Sequence, residues 1–151
     1  MLIKFTLNGR PLEADLAPGL TLLEYLRKRR LYSLKYGCDQ GECGACAVLV
    51  DGRSQNACLL LMPMVAGREV DTVEGLTASG EALKIQESFI GAGAIQCGYC
   101  TPGMIISLVA LQREKQTASE VEIRTALAGN LCRCTGYVKP VDAARQLVGE
   151  R

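Results

Sequence analysis

The sequence predicts an α+β protein of two domains, a small mixed sheet crossed by one helix and then a four-helix bundle. Three observations predict it. Apolar residues recur with a period near two in the first half and at helical spacing in the second. The tight-turn dipeptides Asn8-Gly9 and Asp51-Gly52 occur only in the first half. The eight cysteines form two groups of four, separated by 38 cysteine-free residues, and that gap marks a boundary. The expected division is residues 1–76, a linker at 77–80, and residues 81–151.

The elements follow in order. Residues 2–7 and 10–15 flank Asn8-Gly9 as the arms of a hairpin, and Pro11 places the second arm at a sheet edge. Thr21 and Glu24 make a T-x-x-E capping box for a short helix reaching about Arg30, with Leu22, Leu23 and Leu26 on its apolar face. Ala47–Val50 and Arg53–Ala57 form a second hairpin about Asp51-Gly52, and a further strand is expected near Glu69–Val73. A small mixed sheet crossed by one helix reads as a β-grasp. In the second half, residues 81–92 carry Leu83, Ile85, Phe89 and Ile90 at helical spacing. Thr101-Pro102 reads as the N-cap and first residue of a helix to about Glu114, apolar nearly all round and so expected at the buried centre. Ser119 and Glu122 form another capping box, for a helix stopping at Gly129, and residues 140–148 supply the fourth helix.

Composition excludes several classes of function. The 151 residues include 17 basic and 16 acidic side chains, for a formal charge of +1, and 48% of them are apolar. That balance argues against a disordered tail, a strongly basic nucleic-acid binder and a polybasic membrane anchor. The densest apolar run, Met104–Leu111, is too short to cross a bilayer. The N-terminus alternates like a strand and lacks the apolar core of a signal peptide, so the expected location is cytoplasmic. There is no histidine, which removes His-based catalysis and His-containing metal sites. Arg27–Arg30 reads as a solvated helix end favoured by the dipole.

A reducing compartment disfavours disulfides, so eight thiols point to metal. Cys38, Cys43, Cys46 and Cys58 read C-x4-C-x2-C-x11-C, and Cys97, Cys100, Cys132 and Cys134 read C-x2-C-x31-C-x-C. The hairpin about Asp51-Gly52 has near-equal arms and returns Cys58 beside Cys46. Two helices of similar length separate Cys100 from Cys132, so an antiparallel pair returns Cys132 and Cys134 to Cys97 and Cys100. The first spacing is the plant-type [2Fe–2S] pattern, interleaved with Gly37, Gly41 and Gly44, which admit backbone N–H groups to cluster sulfurs. For the second group, spacing alone leaves zinc and iron–sulfur both open.

Three motifs then carry a resemblance. Residues 37–46 (GCDQGECGAC), 96–104 (QCGYCTPGM) and 129–137 (GNLCRCTGY) are similar, in order, to the cluster motifs of the small subunits of molybdenum hydroxylases, the xanthine oxidase, aldehyde oxidoreductase and CO dehydrogenase family. Val73-Glu74-Gly75-Leu76 also fits, and Leu31–Lys35 departs from the Leu-Thr-Gly-Thr-Lys usual ahead of the first ligand. The resemblance implies a plant-type ferredoxin-like domain followed by a helical domain, with one [2Fe–2S] cluster in each. It further implies electron relay between a large subunit holding a molybdopterin cofactor and a medium subunit holding FAD, or an external acceptor, in a heterotrimer or its dimer. The large subunit would perform all the substrate chemistry, and this chain none. In this family the Gln before the C-x2-C and the final Cys contact the pterin, here Gln96 and Cys134, so the second cluster would lie nearest molybdenum. The alternatives from the residues alone are a free-standing ferredoxin and a structural double-zinc module. Tyr36 and Tyr99 read as rings covering a cluster, and Arg133 as a cation close to one.

Overall fold

The computed structural model describes residues 1–149. Its first part is a five-stranded sheet made of β1 (Leu2–Leu7), β2 (Arg10–Asp15), β3 (Ala47–Val50), β4 (Arg53–Asn56) and β5 (Glu69–Asp71), in the order β2-β1-β5-β3-β4. β1 and β5 are parallel and the other neighbours antiparallel, and α1 (Leu22–Lys28) packs on one face. This is the β-grasp arrangement that the alternation predicted. Both hairpin turns place their two central residues in the left-handed region, as type I′ turns require: Asn8 and Gly9 at φ 50° and 74°, Asp51 and Gly52 at 49° and 79°. Pro11 lies on the edge strand, where its missing N–H costs no ladder bond.

The second part contains α3 (Leu83–Gly91), α4 (Thr101–Glu114), α5 (Glu120–Leu127) and α6 (Val138–Val148), the four expected helices. α4 is buried on almost every face from Thr101 to Val109 and forms the centre. The capping boxes of α1 (Thr21 with Glu24) and α5 (Ser119 with Glu122) are both formed.

Sheet and helices share a core. All four residues of β3 are buried, with Val48 and Val50 packed toward α1 and with Ala47 and Leu49 packed toward α4. A strand covered on both faces loses its polar alternation, which is why this stretch reads Ala-Val-Leu-Val. Arg113 of α4 reinforces the join, meeting Glu81 at 2.7 Å and Asp71 of β5 at 3.3 Å.

Three expectations differ in detail, and one helix is unforeseen. α2 (Val73–Ala78) runs into residues 77–80, with Leu76 buried in the helical core. β5 ends at Asp71, because α2 begins where the strand was expected to continue. At α4, Cys100 is the N-cap and Thr101 the first helical residue, so the helix starts one position earlier than the Thr101 cap expected, and no side-chain cap is formed. Gly129 follows the C-cap Ala128 as foreseen, yet it is absent from the left-handed region, so α5 ends without the glycine turn expected there.

Candidate metal centres

The first group of thiols sits on the loop between α1 and β3 and on the 3₁₀ turn Ala57–Leu59 that follows β4. Cys58 is returned as the hairpin predicted, with the Ala57 N–H donating to the Cys46 carbonyl at 3.2 Å. The loop wraps its amides around sulfur. Cys38 Sγ accepts from the N–H groups of Gln40 (3.4 Å), Glu42 (3.3 Å) and Cys43 (3.4 Å), and Cys43 Sγ accepts from Ala45 (3.5 Å). Those donors hold the Cys38 thiol down to about 7, whereas burial pushes Cys43 up and Cys46 up to about 12. Gly37 is required here, because a Cβ would overlap Cys43 Sγ. Gly41 (φ 79°) lies under Leu59 in the left-handed region and cannot easily carry a side chain.

The second group is built from helix ends. Cys97 and Cys100 lie on the turn entering α4, and Cys132 and Cys134 on the turn between α5 and α6. The antiparallel pair α4–α5 brings the two turns together as expected. Cys100 is buried and its thiol is pushed up to about 12, whereas Cys97 and Cys134 face solvent. Burial also works upward on Cys132, but the Thr135 hydroxyl and the backbone N–H groups of Thr135 and Cys134 outweigh it and hold the thiol at about 7. The Tyr99 N–H lowers Cys97 in the same way.

Within each group the thiols act on one another's ionisation in pairs: Cys38 with Cys43, Cys46 with Cys58, Cys97 with Cys134, and Cys100 with Cys132. The pairs in turn influence one another, Cys43 with Cys46 and Cys97 with Cys132. Among the described residues no three Cys, Asp or Glu side chains converge tightly enough to enclose one metal ion. Two pairs per group suit a two-iron core, in which each iron takes two thiolates. The amides aimed at Cys38 and Cys43 suit the sulfur-rich anion such a core makes.

The two loops touch through backbone. The Leu131 N–H donates to the Cys43 carbonyl at 2.9 Å, placing a ligand of the first group one hydrogen bond and one residue from Cys132 of the second. Buried Asn130 clamps this contact, donating to the Gly44 carbonyl at 3.2 Å and accepting from the Ser107 hydroxyl at 2.7 Å. A Cβ on Gly44 would overlap the Gly129 carbonyl and stand 2.5 Å from Asn130 Nδ2, and one on Gly103 would overlap the Gly44 carbonyl. A second link joins the Tyr99 hydroxyl, as donor, to the Tyr36 carbonyl. Sequence reasoning missed Asn130 and Ser107 as the clamp. The available signal was an amide side chain fixed between Gly129 and the ligands at 132 and 134. Gln96 and Cys134 meet, the Gln96 amide donating to the Cys134 carbonyl at 3.2 Å on an exposed face. Arg133 is exposed, and no ion pair ties it down among the described residues.

Residues 5–64 match the family model described as "2Fe-2S iron-sulfur cluster binding domain", and residues 72–145 match "[2Fe-2S] binding domain". The chain is 47% identical over 138 residues to the xanthine dehydrogenase iron-sulfur-binding subunit of Escherichia coli O157:H7, covering 89% of this chain and 86% of that one. The chain belongs to the iron–sulfur subunits of the molybdenum hydroxylases. A second member, the nicotinate dehydrogenase small FeS subunit of Eubacterium barkeri, is 42% identical over 97% of this chain and 94% of its own length. Among solved structures, quinoline 2-oxidoreductase from Pseudomonas putida 86 superposes with a TM-score of 0.89 at 39% identity, covering 95% of this chain and 90% of that one. The fold and family expected from the three cysteine motifs are those found, within multi-subunit oxidoreductases.

Proposed function

We propose that this chain holds one [2Fe–2S] cluster on Cys38, Cys43, Cys46 and Cys58 and a second on Cys97, Cys100, Cys132 and Cys134, in domains of residues 1–76 and 81–151. It relays single electrons between a molybdopterin-containing large subunit and FAD in a medium subunit or an external acceptor, as part of a cytoplasmic heterotrimer or its dimer. The clusters supply the one-electron storage. The protein supplies thiolates, the amides around Cys38 and Cys43, and a fixed spacing between the two loops. The observation that carries the reading is the pairing of all eight thiols in two groups, with the Cys43 carbonyl hydrogen-bonded one residue from Cys132. That contact offers a short route of covalent and hydrogen bonds between the groups. Among the described residues no helix is long and apolar enough to cross a membrane.

Gln96 and Cys134 mark the face turned to the pterin. Both are exposed and joined to each other, so an organic cofactor's polar edge can reach them without displacing core residues. The first loop, with exposed Gln40 and Glu42, faces the acceptor side. The complex isolated anaerobically with its partners should contain molybdenum and give two distinct [2Fe–2S] signals in electron paramagnetic resonance (EPR). Gln96→Ala should leave both signals while weakening pterin binding or slowing electron transfer from molybdenum. Unchanged turnover with full molybdenum occupancy would sink the Gln96 role. Coupling of the molybdenum signal to the cluster lost in Cys38→Ser would reverse the order.

A further inference from the structure

Lys35 precedes the first cluster loop by three residues, yet its ammonium lies against the second. Its backbone N–H donates to the Ala45 carbonyl at 3.0 Å, which fixes residue 35 beside the first loop. The side chain crosses to Tyr99, its Nζ 5.4 Å from the ring centroid, and Tyr99 is flanked by the ligands at 97 and 100. The same ring donates its hydroxyl to the Tyr36 carbonyl, so ring and ammonium are bound to one strap of chain. Glu74 anchors that strap, its carboxylate accepting from the Ser33 N–H at 2.9 Å and the Ser33 hydroxyl at 2.7 Å. Lys35 Nζ also donates to the Ser33 carbonyl at 3.4 Å.

The neighbouring charges can all be named. Burial and the Arg27 guanidinium press the Lys35 ammonium below its ordinary value, while Glu74, Cys100 and Cys97 act to support the charge. Arg27 is itself engaged elsewhere, its guanidinium 5.3 Å from the rings of both Tyr32 and Tyr36 and donating to the Leu34 carbonyl. Lys35 is therefore the cation of this strap that the thiols of the second site feel. Arg133 lies between two ligands of that site but is exposed, where solvent screens its charge.

Building on the reading above, we propose that Lys35 is a positioning charge that raises the reduction potential of the second cluster. An oxidised core with four thiolates carries about −2, and uptake of one electron makes it about −3 with no bond made or broken. A fixed, half-buried ammonium favours the more negative state, so it biases the equilibrium toward the reduced cluster. A residue bound by its backbone to the first loop thus sets the level of the second, and with it the drop between the two.

The test is a potentiometric titration of the assembled holo-complex followed by EPR, with Lys35→Gln, Lys35→Met and Lys35→Arg. Met keeps the apolar stem on Tyr99 and removes only the charge. In the Gln and Met variants the second cluster's reduction equilibrium should fall about tenfold, which for one electron is about 59 mV, with a smaller change at the first cluster. Lys35→Arg should stay near the wild-type potential. Normal signals from both clusters with an unmoved second potential would overturn this inference alone, as would equal shifts in both clusters. Absence of any [2Fe–2S] signal from the wild-type complex would instead overturn the reading on which it rests.

Discussion

Gly44→Ala tests whether the two loops are locked together by close backbone approach, and Gly67→Ala is its control. Both glycines are left-handed, at φ 68° and 72°, so a Cβ costs about 1–2 kcal/mol of backbone strain at either site. Their surroundings differ. Nothing lies within 4 Å of a Cβ at Gly67, whereas at Gly44 it would overlap the Gly129 carbonyl and come within 2.5 Å of Asn130 Nδ2. Neither neighbour can move freely: one is backbone, and the other is a buried amide already bonded to Gly44. Overpacking of that kind costs about 1–3 kcal/mol more. Gly44→Ala should therefore be about 2 kcal/mol less stable than Gly67→Ala, roughly 4–8 °C in melting midpoint for a chain of this size. The assay is thermal unfolding of the two holoproteins by far-ultraviolet circular dichroism at one scan rate, with visible absorption recorded beside it. The second cluster should be lost first in Gly44→Ala, because the displaced segment leads into Cys132. Equal midpoints for the two variants would refute the close-approach argument.

Asn130→Ala should destabilise the protein by about 1–3 kcal/mol, since it strands the buried Ser107 hydroxyl, while the Gly44 carbonyl keeps the Ala47 N–H at 3.2 Å. Double-mutant melts with Ser107→Ala should be clearly non-additive, and additivity would deny the clamp. The Glu74 clamp predicts a pH effect of known sign. Burial raises the Glu74 carboxyl, but the Ser33 hydroxyl and N–H and the Thr72 hydroxyl outweigh it and leave it below its ordinary 4.5. Its stabilisation is complete above that ordinary value and fades as pH falls through the lower folded one. Ser33→Ala should cost about 1 kcal/mol near pH 7, and the gap to wild type should narrow on acidification below about pH 4.5. A gap constant with pH would contradict the charged clamp.

Much of the fold was legible because its signals are local. The capping boxes at Thr21–Glu24 and Ser119–Glu122 and the turns at Asn8-Gly9 and Asp51-Gly52 each specify backbone within four residues, and all are formed. α2 was not legible because its start is held from far away. Thr72 provides no side-chain cap of its own; its N–H donates instead to Asn8 Oδ1 at 2.8 Å, across 64 residues of chain, and Asn8 fills the space a Cβ on Gly75 would occupy. The same holds for the site. Periodicity and spacing brought the cysteines together in fours, since hairpin arms and helix lengths are read from the sequence. The pairing of thiols, the Leu131–Cys43 hydrogen bond and the reach of Lys35 to Tyr99 depend on how the two halves meet. No local pattern encodes that meeting.

Iron and acid-labile sulfide, counted per chain in the anaerobically isolated complex, test the central claim most directly. Two closed sites of four thiolates should hold about four iron and about four sulfide per chain. Serine at Cys38 or at Cys100 should each halve that count and remove a different EPR signal. About two iron per wild-type chain, or zinc in either site, would contradict the account of this chain as a two-cluster relay.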